Sequence, residues 1–256
     1  MSNQIKNSLL NVKEQPSVEI INRNGKSNIV LVCEHASNRM PASLDNLGLE
    51  TEAVQSHAAW DPGALRVAQY LSKYLDAPLV AARYSRLVYD LNRPPENPQA
   101  MNTESEIYAI PGNQNLSIEE KQSRTEELYI PFHKTVSDVM DRVGDGCVMI
   151  TIHTFTPIYF GKQRTVELGI LHDADTRFAD GMLENSAKHT GMVTLRNDPY
   201  GPKDGVTHTL VKHGISRGCQ NVMLEIRNDL VETAEQQIAV GKQLVGLIKE
   251  ANLDML

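Results

Sequence analysis

A chain of 256 residues, 41% hydrophobic and 22% charged, holds enough apolar material for one sizeable core, and its composition excludes a disordered or fibrous polymer. A net charge of −7 with no basic run excludes the phosphate-binding surfaces that nucleic acids and anionic membranes require. No stretch approaches the roughly 18 apolar residues of a membrane span, the first residues lack a signal-peptide pattern, and the three cysteines form no CxxC pair, so reduced core thiols and a cytoplasmic location are expected.

Residues 1–27 read as an N-terminal extension or edge segment, and 28–256 as a single α/β domain. The first strong element is the apolar run 29–34, which ends abruptly on Glu34 and His35. A helix follows over 63–75, with Asp61 and Pro62 placed to serve as its N-cap and first residue. A strand over 79–83 leads into "SRLVYDLNRPP" and a Pro-rich span to about residue 115, which reads as a long loop of the kind that carries lids and binding groups. Ser117 and Glu120 have capping-box spacing and open a long helix over 118–143. Strands at 147–153, 165–171, 193–196 and 221–226 then alternate with helices at 175–189, 206–213 and 231–251.

In open α/β sheets, ligands bind beyond the carboxyl ends of the strands, so polar groups delivered there are functional candidates. Four segments do this: Glu34 with His35; Arg86 with Asp90, Asn92 and Arg93; His153; and Glu225 with Arg227 and Asn228. Histidines at two strand ends and a glutamate at a third point to a metal site with a nearby base. Arg86 and Arg93 each offer a guanidinium fork suited to a carboxylate, with Asp90 and Asn92 able to hold the forks in place; a salt-bridged turn is the plainer alternative. His57 is either a partner of the site or a surface residue, with the surface favoured. "GISRG" matches the G-x-S-x-G elbow, but a helix precedes Ser216 and a strand follows it, the reverse of what that elbow needs, so Gly214 reads as a helix C-cap and Ser216 is discarded as a nucleophile. No G-x-G-x-x-G, P-loop or HExxH occurs.

Taken in order, "EHASNRMP", "HAAWDPGA", "YSRLVYDLNRP", "YIPFH", "TIHTFTP", "NDPYGPKDG" and "MLEIRNDL" resemble the N-formylglutamate amidohydrolase family, distant relatives of the zinc carboxypeptidases, over roughly 28–232. The resemblance implies a mixed central sheet flanked by helices, of the phosphorylase/hydrolase-like and zinc carboxypeptidase-like kind. It also implies a divalent metal, expected to be zinc, and hydrolysis of the amide of a small anionic N-acyl amino acid. His35, Asp61 and His153 are the expected ligands, Asp61 being chosen over Glu34 because the His-x-x-Glu pair frequent in that superfamily is here His35 followed by Asn38. Glu225 is the expected general base and Arg86 a catalytic oxyanion or carboxylate partner. Arg86, Asn92, Arg93 and His133 are candidate substrate contacts, with a structural helix role equally open for His133. A second expectation, from a different class, is a small-molecule or metal-binding protein that keeps the fold without the chemistry.

Overall fold

The computed structural model describes residues 8–253. In chain order the strands are β1 (Val18–Ile21), β2 (Ile29–Cys33), β3 (Leu79–Ala82), β4 (Glu104–Ser105), β5 (Tyr108–Ala109), β6 (Val148–Phe155), β7 (Ile158–Tyr159), β8 (Lys162–Gln163), β9 (Leu168–Leu171), β10 (Thr194–Arg196) and β11 (Gln220–Arg227). The α-helices are α1 (Thr51–Gln55), α2 (Ala64–Leu75), α3 (Ile118–Arg124), α4 (Ile130–Val143), α5 (Arg177–His189) and α6 (Ala234–Leu253). Seven strands form one mixed sheet in the order β1-β3-β2-β6-β11-β9-β10. The four central strands β3, β2, β6 and β11 run parallel, while β1 pairs antiparallel with β3 and β9 antiparallel with β11.

All five β2 residues are buried because helices cover both faces of the sheet. Period-2 alternation divides them. Ile29, Leu31 and Cys33 join Ile150, Ile152, Val222 and Leu224 against Val67 and Leu71 of α2, Phe178 and Met182 of α5, and Leu244 and Leu247 of α6. Val30 and Val32 face the other way, with Val80, Met149 and Met223, against Phe132, Val136, Val139 and Met140 of α4. The chain is therefore one α/β domain with a mixed central sheet between helical layers.

Several boundaries differ from the expected ones, each for a local reason. The long helix 118–143 has its Ser117–Glu120 capping box, but Thr125–Tyr129 winds as a π-helical turn between α3 and α4. Pro131 has no N–H to return to the preceding turn, and a wider turn accommodates that loss. The expected strand 165–171 is paired only from Leu168. The helix expected at 206–213 is a short π-helical turn over Leu210–Gly214 with one 3-10 turn after it; Gly218, with φ at 67°, ends it in place of Gly214. Within 1–27, Val18–Ile21 forms the edge strand β1, and residues 1–7 lie outside the described residues.

Asp61 is not the N-cap of α2. That position belongs to Gly63, which adopts φ 84° and lies so close to Val231 that a Cβ would meet its Cγ2 at 2.6 Å. The Asp61 carboxylate is thereby released from capping and points elsewhere.

Candidate active site

Alternation on the central strands sets up the site. Val222, Leu224 and Ile226 face the α2/α5/α6 layer, so Glu225 faces the α4 side; Ile150 and Ile152 place His153 on that same side. Glu225 and His153 are direct partners in the β11–β6 register. Glu34, one residue past β2, extends the row, its Oε2 standing 3.1 Å from His153 Nε2. Three adjacent strands thus deliver a carboxylate, an imidazole and a carboxylate to one edge of the sheet.

The connecting segments close over this row. Asp61 N–H donates to the His35 carbonyl at 2.9 Å, pinning the loop before α2 to the turn after β2. Asp61 Oδ2 then lies 2.9 Å from His153 Nδ1 and 3.4 Å from His35 Nδ1. The remaining nitrogen of His35, Nε2, is 2.8 Å from Asp90 Oδ1. Each histidine therefore has one nitrogen against an orienting carboxylate, Glu34 or Asp90, and turns Nδ1 toward Asp61. Carboxylates behind the outer nitrogen are the usual way proteins fix the tautomer and tilt of metal-ligating histidines. On the far side of Asp61, Arg86 Nη1 is 3.0 Å from Oδ1, while Arg86 Nε donates to the Ala58 carbonyl at 3.0 Å and Nη2 to the His57 carbonyl.

These groups are buried and charged, so their neighbours decide their protonation. Burial alone would raise the Asp61 pKa, but Arg86 and His35 hold its carboxyl well below the usual carboxylate range. Burial would lower His153 and His35; the Glu34 and Asp61 charges instead hold His153 well above an ordinary imidazole, and Asp90 and Asp61 raise His35. Glu225 goes the other way, pushed up to about 7 chiefly by burial. Both Glu34 oxygens, Asp61 Oδ1, His153 Nε2 and Glu225 Oε2 are buried without a hydrogen bond, the ion-pair contacts above lacking hydrogen-bond geometry. Orphaned buried polar atoms are expensive. Their concentration around His35, Asp61 and His153, whose ligand atoms lie within 4.8 Å of one another, fits a site that could hold a cation.

A family model for N-formylglutamate amidohydrolase matches residues 27–232. The chain belongs to the N-formylglutamate amidohydrolase family. Among solved structures, a gene product of Agrobacterium tumefaciens is 48% identical, superposes with a TM-score of 0.93, and the match covers 96% of this chain and 99% of that one. An N-formylglutamate amidohydrolase from Ralstonia eutropha JMP134 is 16% identical with a TM-score of 0.66, covering 93% and 98%, and shows the same fold. No curated protein sequence matches. The sequence-based resemblance and the mixed-sheet fold it implied both stand.

In this amidohydrolase-like hydrolase the row of site residues opens into a cavity of about 340 Å³ that is also lined by Arg93, Glu106, Tyr159 and Tyr200. Arg93 hydrogen-bonds neutral acceptors there, the carbonyls of Asn92 and Gly205 and the Gln99 side chain; its charge helps to hold the Asp90 carboxyl low, but among the described residues no carboxylate forms an ion pair with it. Asn92 braces the next loop, accepting from Thr209 N–H at 2.9 Å and donating to the Val206 carbonyl. The Pro-rich span supplies Gln99, Asn102 and the β4–β5 hairpin to the cavity wall.

His133 is a correction. It does not line the cavity; on α4 it donates through Nε2 to the Leu91 carbonyl at 2.9 Å and meets His213 Nε2 through Nδ1 at 2.8 Å, so it is a structural helix residue behind the site. The surface position favoured for His57 is overturned as well. Its side chain is 10% exposed, its Nε2 donates to the Thr154 carbonyl at 2.6 Å, and its Nδ1 meets Glu106 on the hairpin at 2.9 Å.

Sequence reasoning missed Tyr200. Arg164 donates to its hydroxyl at 2.8 Å and sits over its ring, and burial pushes the phenol up to about 12. Gly169 makes this possible, since a Cβ there would lie 2.2 Å from the Asp198 carbonyl of the segment leading to Tyr200 and 3.2 Å from Glu225 Cβ. A glycine inside an apolar strand was the available signal.

Proposed function

We propose that the chain is a metal-dependent amidohydrolase that cleaves the amide of a small anionic N-acyl amino acid of the N-formylglutamate kind. The observation that carries this reading is that two carboxylate-backed histidines turn Nδ1 toward one buried aspartate, with a partly neutral glutamate in the adjacent strand. His35, Asp61 and His153 would hold a divalent cation, and two nitrogens with one carboxylate oxygen suit zinc. Bound there, the cation would polarise the scissile carbonyl and lower the pKa of a water towards about 7. The three free thiols, usual in a reducing compartment, support a cytoplasmic location as part of the same reading.

The chain's own residues do the rest. Glu225 Oε2, buried and unpartnered, accepts the proton of the attacking water and hands it to the departing nitrogen as the carbon–nitrogen bond breaks. A carboxyl pKa near 7 suits both halves of that exchange at neutral pH. Arg86, held in place by Asp61 and two backbone carbonyls, faces the cavity beside the reacting centre and stabilises the oxyanion. Arg93 takes the substrate carboxylate, since its own hydrogen bonds go to neutral acceptors and no ion pair holds it among the described residues.

A panel of N-formyl and N-acetyl amino acids, assayed for released amine with and without chelator, tests the proposal. Chelator-sensitive release from at least one N-acyl amino acid is expected. Stoichiometric metal with no turnover of any member would instead establish a binder that keeps the fold.

A further inference from the structure

The opposite edge of the same two strands carries a second constellation. β6 and β11 are parallel, their first paired residues being Val148 and Gln220. Cys147 and Cys219 each stand immediately before that pair, side by side at the amino ends of the strands that carry His153 and Glu225 at their other ends. Neighbouring strands lie about 4.8 Å apart, inside the roughly 4.4–6.8 Å Cα separation that a disulfide spans. The two side chains open on one cavity, and the Cys219 thiol is near enough to raise the pKa of Cys147. Cys147 is 2% exposed, whereas Cys219 is partly exposed, and both line a cavity of about 350 Å³. Arg177 and Arg217 line it too, each ion-paired to an aspartate, and Arg177 donates to the carbonyl of Gly218 next to Cys219.

We propose that Cys147 and Cys219 form a redox-active dithiol that closes to a disulfide by exchange with a small disulfide of the glutathione type, entering through this cavity. The Cys219 sulfur attacks one sulfur of the oxidised tripeptide, whose S–S bond breaks, and one reduced glutathione leaves with the proton. The Cys147 sulfur then displaces the second glutathione from Cys219. The two protein thiols lose two electrons in all, one oxidised glutathione becomes two reduced ones, and the two thiol protons end on them. Cys219 reacts first because it is the accessible partner. Cys147, its thiol pushed up to about 12 by burial and by Cys219, is inert until a mixed disulfide is presented at contact distance. Cys33, buried under Glu34 and Asp61, is too far inside to take part.

The full-length protein is incubated with oxidised glutathione, alkylated in urea, digested and mapped by mass spectrometry. The expected product joins the peptides of Cys147 and Cys219, leaves Cys33 alkylated, and reverts with dithiothreitol. Cys147→Ser should stop at one glutathione on Cys219, and Cys219→Ser should gain none. A parent protein in which all three thiols stay free, in which Cys219 stops at the mixed disulfide, or in which Cys33 enters the crosslink overturns the proposal. The parent map decides by itself, so the test holds even where a variant fails to fold.

Discussion

Two pairs of buried histidines stand in this molecule, one raised toward the charged form and the other held neutral. His35 and His153 are 6% and 2% exposed; His133 and His213, behind the site, are each 4% exposed. Burial pushes all four toward the neutral form. Around the first pair, Glu34, Asp61 and Asp90 outweigh it and raise the pKa. Around the second no carboxylate bonds either ring among the described residues; burial and the neighbouring His213 take His133 down to about 2, and burial with Lys212 takes His213 to about 4. His133 and His213 bond to each other and to a backbone carbonyl, which is how neutral imidazoles are satisfied in a core. Burial by itself therefore says little about a histidine's task; the charges within reach of each nitrogen separate a candidate ligand from a packing residue.

The sharpest way to break that comparison is to remove a member of the first pair. His35→Ala or His153→Ala should abolish metal binding in a protein that still folds, as should Asp61→Asn, which keeps the shape but loses the anionic ligand. Full metal occupancy by elemental analysis in any of the three would sink the ligand assignment.

Next in size is Glu225→Gln, which should keep metal and lose turnover by about 10²- to 10⁴-fold. It also has a stability signature. The folded carboxyl at about 7 lies above the ordinary value of 4.5, so the native state holds a proton that the unfolded state has lost, and stability falls as pH rises through that window. Metal-free Glu225→Gln should therefore be more stable than the parent above pH 7, by roughly 3 kcal/mol. Near-parental kcat would remove Glu225 from the chemistry.

A smaller effect is expected one layer out. Asp90→Asn removes the carboxylate behind His35 Nε2 and should weaken metal affinity about 10- to 100-fold without abolishing it, as measured by competition with a chromophoric chelator. Unchanged affinity would mean that Asp90 merely fills space.

The last effects fall on stability alone and leave the chemistry untouched. His213 has a folded pKa of about 4 against 6.5 unfolded, so the unfolded state binds the extra proton between those values and stability is lost as pH falls through them, by roughly 3 kcal/mol. His153 has the opposite sign in the metal-free protein. Its raised pKa contributes stability that is present below pH 6.5 and lost as pH rises through the folded value. Urea denaturation from pH 7 to 4 should show His213→Gln with a flatter profile than the parent and an unaltered kcat. If His213→Gln and the parent lose stability in parallel, the second pair is not the acid-sensitive one.

Much of the architecture was legible from local pattern. The runs that became β2, β3, β6 and β11 are buried on both faces, as strands covered by helices must be, and polar residues stand at or near their carboxyl ends: Glu34, Arg83, His153 and Glu225. Glu34, His35, His153 and Glu225 were therefore readable as strand-end groups. Pro131 was visible too, but whether such a residue ends a helix or widens one turn depends on how α3 and α4 pack, and sequence alone favoured an unbroken helix. His57 looked like a surface residue because its partners, Thr154 and Glu106, lie 97 and 49 residues away.

What this sequence determined by itself is the set of elements and the edge at which its chemistry gathers, because alternation and helical period are short-range properties of the chain. Which histidine is charged, which carboxylate stands between the two imidazoles and which behind one of them, and which neutral acceptors hold Arg93 were decided only by tertiary structure. Those properties depend on groups brought within a few ångströms from far along the chain, such as Asp61 beside His153 across 92 residues and Asp90 beside His35 across 55. Coulombic effects in a buried site are set by such distances and by the exclusion of water, and neither is written in any local stretch of the sequence.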